Sequence, residues 1–213
     1  KKICRVLTGD GMDSLMRYRQ WLFALTIAAL TLGPTARAAA NSNAPAVATF
    51  ARINLLPSIP LIDQSGHAVT LASLSGKPVL VGFIHTDCLG PCELMTARMK
   101  AVAQELEPSF NSKVTMAVVT TDPKEDHPAQ LAAYAKAQGV EGAGWVFLTG
   151  KPDDVAHVLN LYGVPHGAAD DEMEHVFELY LIGADGRELH QYQGPEIKPA
   201  IVAADIRTAL ARR

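Results

Sequence analysis

The sequence predicts an α/β fold: a central mixed β-sheet flanked by helices, in a thioredoxin-like layout with an N-terminal hairpin. Three observations predict it. Short continuous apolar runs at 78–84, 114–119 and 145–148 have the length and composition of strands buried on both faces. Segments of helical spacing alternate with these runs. After the last alternation, two strand-like segments flank a tight turn.

The elements follow in order. Residues 61–71 (LIDQSGHAVTL) form a hairpin turning near Ser65-Gly66. Residues 78–84 (PVLVGFI) are the first buried strand. From Glu93 to Leu106, the apolar residues Leu94, Met95, Ala97, Met99, Val102, Ala103 and Leu106 recur at helical spacing. Residues 114–119 are the second buried strand. An Ala-rich helix spans Pro128 to Gln138 and is closed by Gly139, a helix-stop residue. A third strand covers 145–148, and a short helix covers 153–161 behind Pro152, a residue suited to a helix start. Residues 170–174 form an acidic loop. Strands at 175–182 and 188–192 flank Gly183-Ala184-Asp185-Gly186, a hairpin turn, and a helix over 197–210 closes the chain. Helices between buried strands, then a hairpin, place helices on both faces of one mixed sheet.

The chain divides into three parts. Residues 16–20 (MRYRQ) give a positive start, 21–32 an apolar run, and Ala36-Arg37-Ala38 a small-x-small cleavage site after Gly33-Pro34. Together they read as a secretory signal peptide. The apolar run has 12 residues, whereas a membrane span needs about 20. A retained anchor is therefore the weaker alternative to cleavage. Residues 1–38 thus comprise the signal and an upstream extension, 39–54 are a flexible leader rich in Ala, Asn and Ser, and 55–213 are the folded domain. The expected location is the periplasm.

The whole chain has 213 residues, 48% of them hydrophobic and 19% charged, enough for one buried core and unlike a disordered chain. Residues 1–38 hold six of the 19 Lys/Arg and two of the 22 Asp/Glu, so the remainder carries −7. No basic patch stands out, which argues against nucleic acid as a partner.

Of three cysteines, Cys4 lies in the removed part, leaving Cys88 and Cys92. An exported dithiol meets an oxidising compartment, where a disulfide is the default. Two cysteines four apart close too small a loop to staple a domain of this size, so chemistry is the better explanation of the pair. Cys88 falls in the turn after the first buried strand and Cys92 beside Pro91, near a helix start. Free N–H groups and the helix dipole there favour thiolate, the nucleophile and soft-metal ligand. Two thiolates with one imidazole suit copper, though zinc accepts the same atoms.

Several blocks together resemble the Sco/SenC/PrrC family: GFIHTDCLGPCELM at 82–95, TTDPKEDHPAQLAAYAKAQG at 120–139, WVFLTG at 145–150 and HVFELYLIGADGR at 175–187. The resemblance covers roughly 55 to 210. It implies copper as the cargo, with Cys88, Cys92 and His175 as ligands. It also implies delivery to the copper-centre subunit of cytochrome c oxidase or to another copper-binding periplasmic protein. One position departs from the family pattern. Glu93 stands where a proline usually follows the second cysteine, adding negative charge that opposes thiolate formation.

Other residues weigh less. His85, three before Cys88, is read first as a strand-end packing residue and second as a neighbour of the site. Asp122 reads as a turn initiator that could support the site from behind. Met95 reads as core rather than as a thioether ligand. Residues 170–174 carry four acids and read as a solvated loop. His67, His127, His157, His166 and His190 carry no motif.

An assembly factor is thus favoured over a turnover enzyme. The alternative is a thiol–disulfide oxidoreductase that keeps an acceptor's cysteines reduced, using the same dithiol without His175. A peroxiredoxin-like peroxidase is a third reading, lacking an arginine near Cys88 in sequence.

Overall fold

A computed structural model describes residues 54–166 and 177–212. Its strands are β1 (Leu61–Asp63), β2 (Ala68–Val69), β3 (Val79–Ile84), β4 (Thr115–Thr120), β5 (Trp145–Thr149), β6 (Glu178–Ile182) and β7 (Glu188–Gln193). Its helices are α1 (Pro91–Glu105), α2 (Phe110–Lys113), α3 (Pro128–Gln138), α4 (Pro152–Tyr162) and α5 (Pro199–Ala211). The strands form one sheet in the order β2-β1-β5-β4-β3-β6-β7.

Continuous apolar strands need cover on both faces, and the sheet has it. All six residues of β3 and of β4 are buried. Alternation sends Leu80 and Ile84 to one face, where they meet Met95, Met99 and Val102 of α1, Leu131 of α3 and Val202 of α5. It sends Val79, Val81 and Phe83 to the other, against Val155, Val158 and Tyr162 of α4. Parallel pairing of β3 with β4 and β4 with β5 makes the α/β centre. Antiparallel β6 and β7 extend one side, and the β1–β2 hairpin caps the other. The predicted mixed sheet and N-terminal hairpin are both present.

Two details set the position of α1. At Gly82, in the middle of β3, an added Cβ would lie 2.9 Å from Leu179 Cδ2, 3.0 Å from Met99 Sδ and 3.1 Å from Met95 Sδ. A bare Cα lets these three side chains pack directly onto the strand. At Gly90 the chain turns into α1 with φ +96° and ψ −84°, a region that residues with a Cβ avoid. Pro91 follows as the first helical residue, where its missing N–H costs nothing.

Two elements were absent from the sequence reading: α2 and a single 3-10 turn at Leu71–Leu74. Each is four residues long, too short for periodicity to show. The turn is held by a reciprocal cap between Thr70 and Ser73.

Candidate metal centre

The centre forms where β3 ends and α1 begins. β3 stops at Ile84, and the next turn closes when the Cys88 N–H donates to the His85 carbonyl at 3.2 Å. Cys92 is the second residue of α1. Both cysteines are free thiols; Cys92 is buried and Cys88 half-buried. The ligand atoms of His85, Cys88 and Cys92 all lie within 4.8 Å of one another. A small cleft beside Cys92 is lined by His85, Pro91, Met95, Thr121 and Val164, among others.

The turn is anchored from below by a buried carboxylate. Asp126, 1% exposed, accepts the Thr86 N–H at 3.1 and 3.2 Å and the hydroxyls of Thr86 and Thr120. Thr86 lies between His85 and Cys88, so this cluster fixes the backbone from which both project. Tyr134 of α3 anchors the helix side. Its hydroxyl donates to the Cys92 carbonyl at 3.1 Å and lies 2.9 Å from the Thr96 hydroxyl. Burial pushes the Tyr134 hydroxyl up to about 12, so it stays a donor at neutral pH.

The thiol chemistry differs from the expectation. A helix start favours thiolate, yet Cys92 is held well above the ordinary thiol range. Burial is the largest cause; the hydrogen bond with Cys88 and the charges of Cys88 and Asp126 add to it, while the His85 backbone N–H works the other way. Desolvation outweighs the dipole because the sulfur is inside the core cluster with Met95 and Met99. Without a metal the resting form of Cys92 is therefore the neutral thiol. An arriving cation displaces the proton, since the ligand form is the thiolate.

The other predicted residues fall as follows. Asp122 starts a turn, its carboxylate accepting the Lys124 N–H at 3.2 Å. The buried support is instead Asp126, four residues on. Met95 is 2% exposed and belongs to the core, while also lining the cleft. Glu93 is exposed in the first turn of α1. His175 and the acidic stretch 170–174 lie outside the described residues. His85, first read as strand-end packing, is brought to the two sulfurs. The available signal was its three-residue spacing from Cys88 at the end of a buried strand.

A sheet of this topology, with a C-x3-C dithiol and an imidazole at a strand-to-helix junction, defines a thioredoxin-like protein equipped to hold a soft metal ion. Residues 52–211 match the SCO1/SenC family, and the chain belongs to that family. It is 32% identical over 152 residues to a SCO1 protein homolog of Bacillus subtilis, covering 69% of this chain and 78% of that protein. The solved structure of Bradyrhizobium japonicum ScoI with copper bound is 29% identical, with a TM-score of 0.61 over 72% of this chain and 98% of that one. BsSco, described with a disulfide switch and as a member of the Sco family of cytochrome c oxidase assembly proteins, is 28% identical. Its TM-score is 0.63, over 72% of this chain and 92% of that one.

Proposed function

We propose that this protein carries copper to the copper centre of cytochrome c oxidase, with Cys88, Cys92 and His175 as ligands. The observation that carries the reading is the pair of free thiols at the β3–α1 junction, with an imidazole within 4.8 Å. Copper-bound ScoI and the oxidase-assembly description of BsSco, both similar to this chain, support the cargo and the destination.

Sheet register supports His175 as a ligand. β6 runs antiparallel to β3 with Gly82 opposite Leu179, so the start of β6 lies beside the end of β3. Phe177 shares the core cluster with Ile84 and Cys92. Residue 175 is two positions from Phe177, a reach of at most about 7 Å. At the other end of the segment, Val164 lines the cleft beside Cys92. Both flanks of residues 167–176 therefore meet the dithiol end of the sheet.

The second reading, a thiol–disulfide oxidoreductase, rests on the same adjacent thiols and on the disulfide switch of BsSco. We further propose export to the periplasm, with residues 1–38 as signal and 39–54 as leader. Among the described residues no helix is long and apolar enough to cross a membrane.

The test pairs copper binding with oxidase assembly in cells. The reduced chain should bind one copper ion, Cys88→Ser and Cys92→Ser should each abolish binding, and both variants and His175→Ala should fail to support assembly. If His175→Ala supports assembly at the wild-type level while the cysteine variants fail, the dithiol acts as a reductant and the carrier reading is wrong.

A further inference from the structure

We propose that His85 is a metal ligand in its own right, completing with the thiolates of Cys88 and Cys92 a three-ligand set that holds copper independently of His175. The inference rests on the copper reading above and deepens it.

Geometry comes first. Zinc bonds to sulfur are about 2.3 Å and to imidazole nitrogen about 2.0–2.1 Å, so the ligand atoms of a three-coordinate site on such an ion lie about 3.5–4 Å apart. The three ligand atoms here already lie within 4.8 Å of one another. Closing them around an ion needs shifts of at most about 1 Å, within the reach of side-chain rotation on a fixed backbone.

The second argument is preorganisation. His85 directly follows β3, which is paired on both sides, with β4 and β6. Its carbonyl receives the Cys88 N–H at 3.2 Å. The next residue, Thr86, is clamped by Asp126. The ring is thus presented from a backbone fixed on both sides, which lowers the ordering cost of binding.

The third argument is the state of the ring itself. His85 is half-buried, and among the described residues no hydrogen bond engages its imidazole nitrogens, so neither nitrogen has to give up a protein partner to take a metal ion. Two thiolates and a neutral imidazole are soft and borderline donors suited to Cu(I). The function that follows is retention. When His175 leaves the ion to an incoming acceptor, copper keeps three protein ligands instead of two, and its oxidation state need not change.

X-ray absorption on the reduced chain loaded anaerobically with one equivalent of Cu(I) tests this. His175→Ala should keep two sulfurs and one imidazole, seen by its multiple-scattering pattern. The pair His85→Ala/His175→Ala should show sulfur alone and lose at least tenfold in affinity against bicinchoninate relative to His175→Ala. His85→Gln in the same background, which preserves bulk at the strand end, should behave like the alanine variant. Cu(I) held by sulfur alone in folded His175→Ala overturns the assignment of His85 and leaves the carrier reading intact. So does an imidazole pattern that survives in the double variant. No uptake of Cu(I) by the wild-type chain would instead overturn the carrier reading, and this inference with it.

Discussion

Replacing Asp126 by asparagine tests whether a buried charge fixes the metal-binding turn. The carboxylate receives one backbone N–H and two hydroxyls, from Thr86 and Thr120, at a position 1% exposed. Hydrogen bonds to a charged acceptor contribute about 1.5–3 kcal/mol each, against about 0.5–1.5 for neutral pairs. Asparagine keeps the shape but makes all three bonds neutral, a loss of about 3–4.5 kcal/mol by the same figures. It also places an N–H donor where a hydroxyl now donates. Against this, a buried carboxylate carries a desolvation cost of a few kcal/mol that the amide avoids. The net expectation is a loss of about 1–3 kcal/mol, or roughly 2–12 °C in Tm for a domain of this size. Urea unfolding of the reduced, metal-free chain, followed by far-UV circular dichroism with an unchanged slope, measures it. Removing the charge should also lower the Cys92 thiol pKa and speed its alkylation at a given pH. Stability equal to wild type within about 0.5 kcal/mol, the usual range for a surface substitution, would refute the anchoring role.

Two further predictions concern pH and export. The Cys92 thiol is raised above 9.0 chiefly by burial, so its stabilising effect is fully present below that pH and is lost as pH rises above it. The reduced, metal-free chain should weaken from about pH 9 upward, and Cys92→Ser should remove the part of the decline between pH 9 and 10. What remains belongs to Tyr134, Tyr162, Tyr180 and Tyr192, all raised from 10.0 by burial first. An equally steep decline in the serine variant would show that the thiol is not the source. Secreted protein should begin at Ala39; N-terminal sequencing that finds Met16 or an earlier residue would favour the anchor.

The strands and long helices were legible because each is a local pattern. β3 and β4 are unbroken apolar runs, and α3 has Pro128 at its start and Gly139 at its end. The dithiol was legible because a strand-to-helix junction is also local. Asp126 was not. In the run Asp122-Pro123-Lys124-Glu125-Asp126-His127 it looks like one more solvated acid. Its burial is decided by Thr86, 40 residues upstream, through the pairing of β3 with β4. His85 was underweighted for a related reason. Sequence gives its distance from Cys88 along the chain but not the entry angle of α1, which brings Cys92 round to face it.

That entry angle has a control point away from the chemistry. Gly82 is not a ligand, yet its lack of a side chain leaves room for the second and third turns of α1 to pack on β3 through the sulfurs of Met95 and Met99. A methyl group there has three atoms to displace, and two of them belong to the helix that carries Cys92. Both contacts are with thioether sulfurs on flexible side chains, so those side chains give way first and only the remaining displacement falls on the helix that carries Cys92. With ligand atoms within 4.8 Å of one another and about 3.5–4 Å required between them in a three-coordinate shell, any further separation of the two sulfurs works against closure. The packing beneath α1 at Gly82 is thus coupled to the metal centre through the helix that carries Cys92, although Gly82 itself offers no ligand.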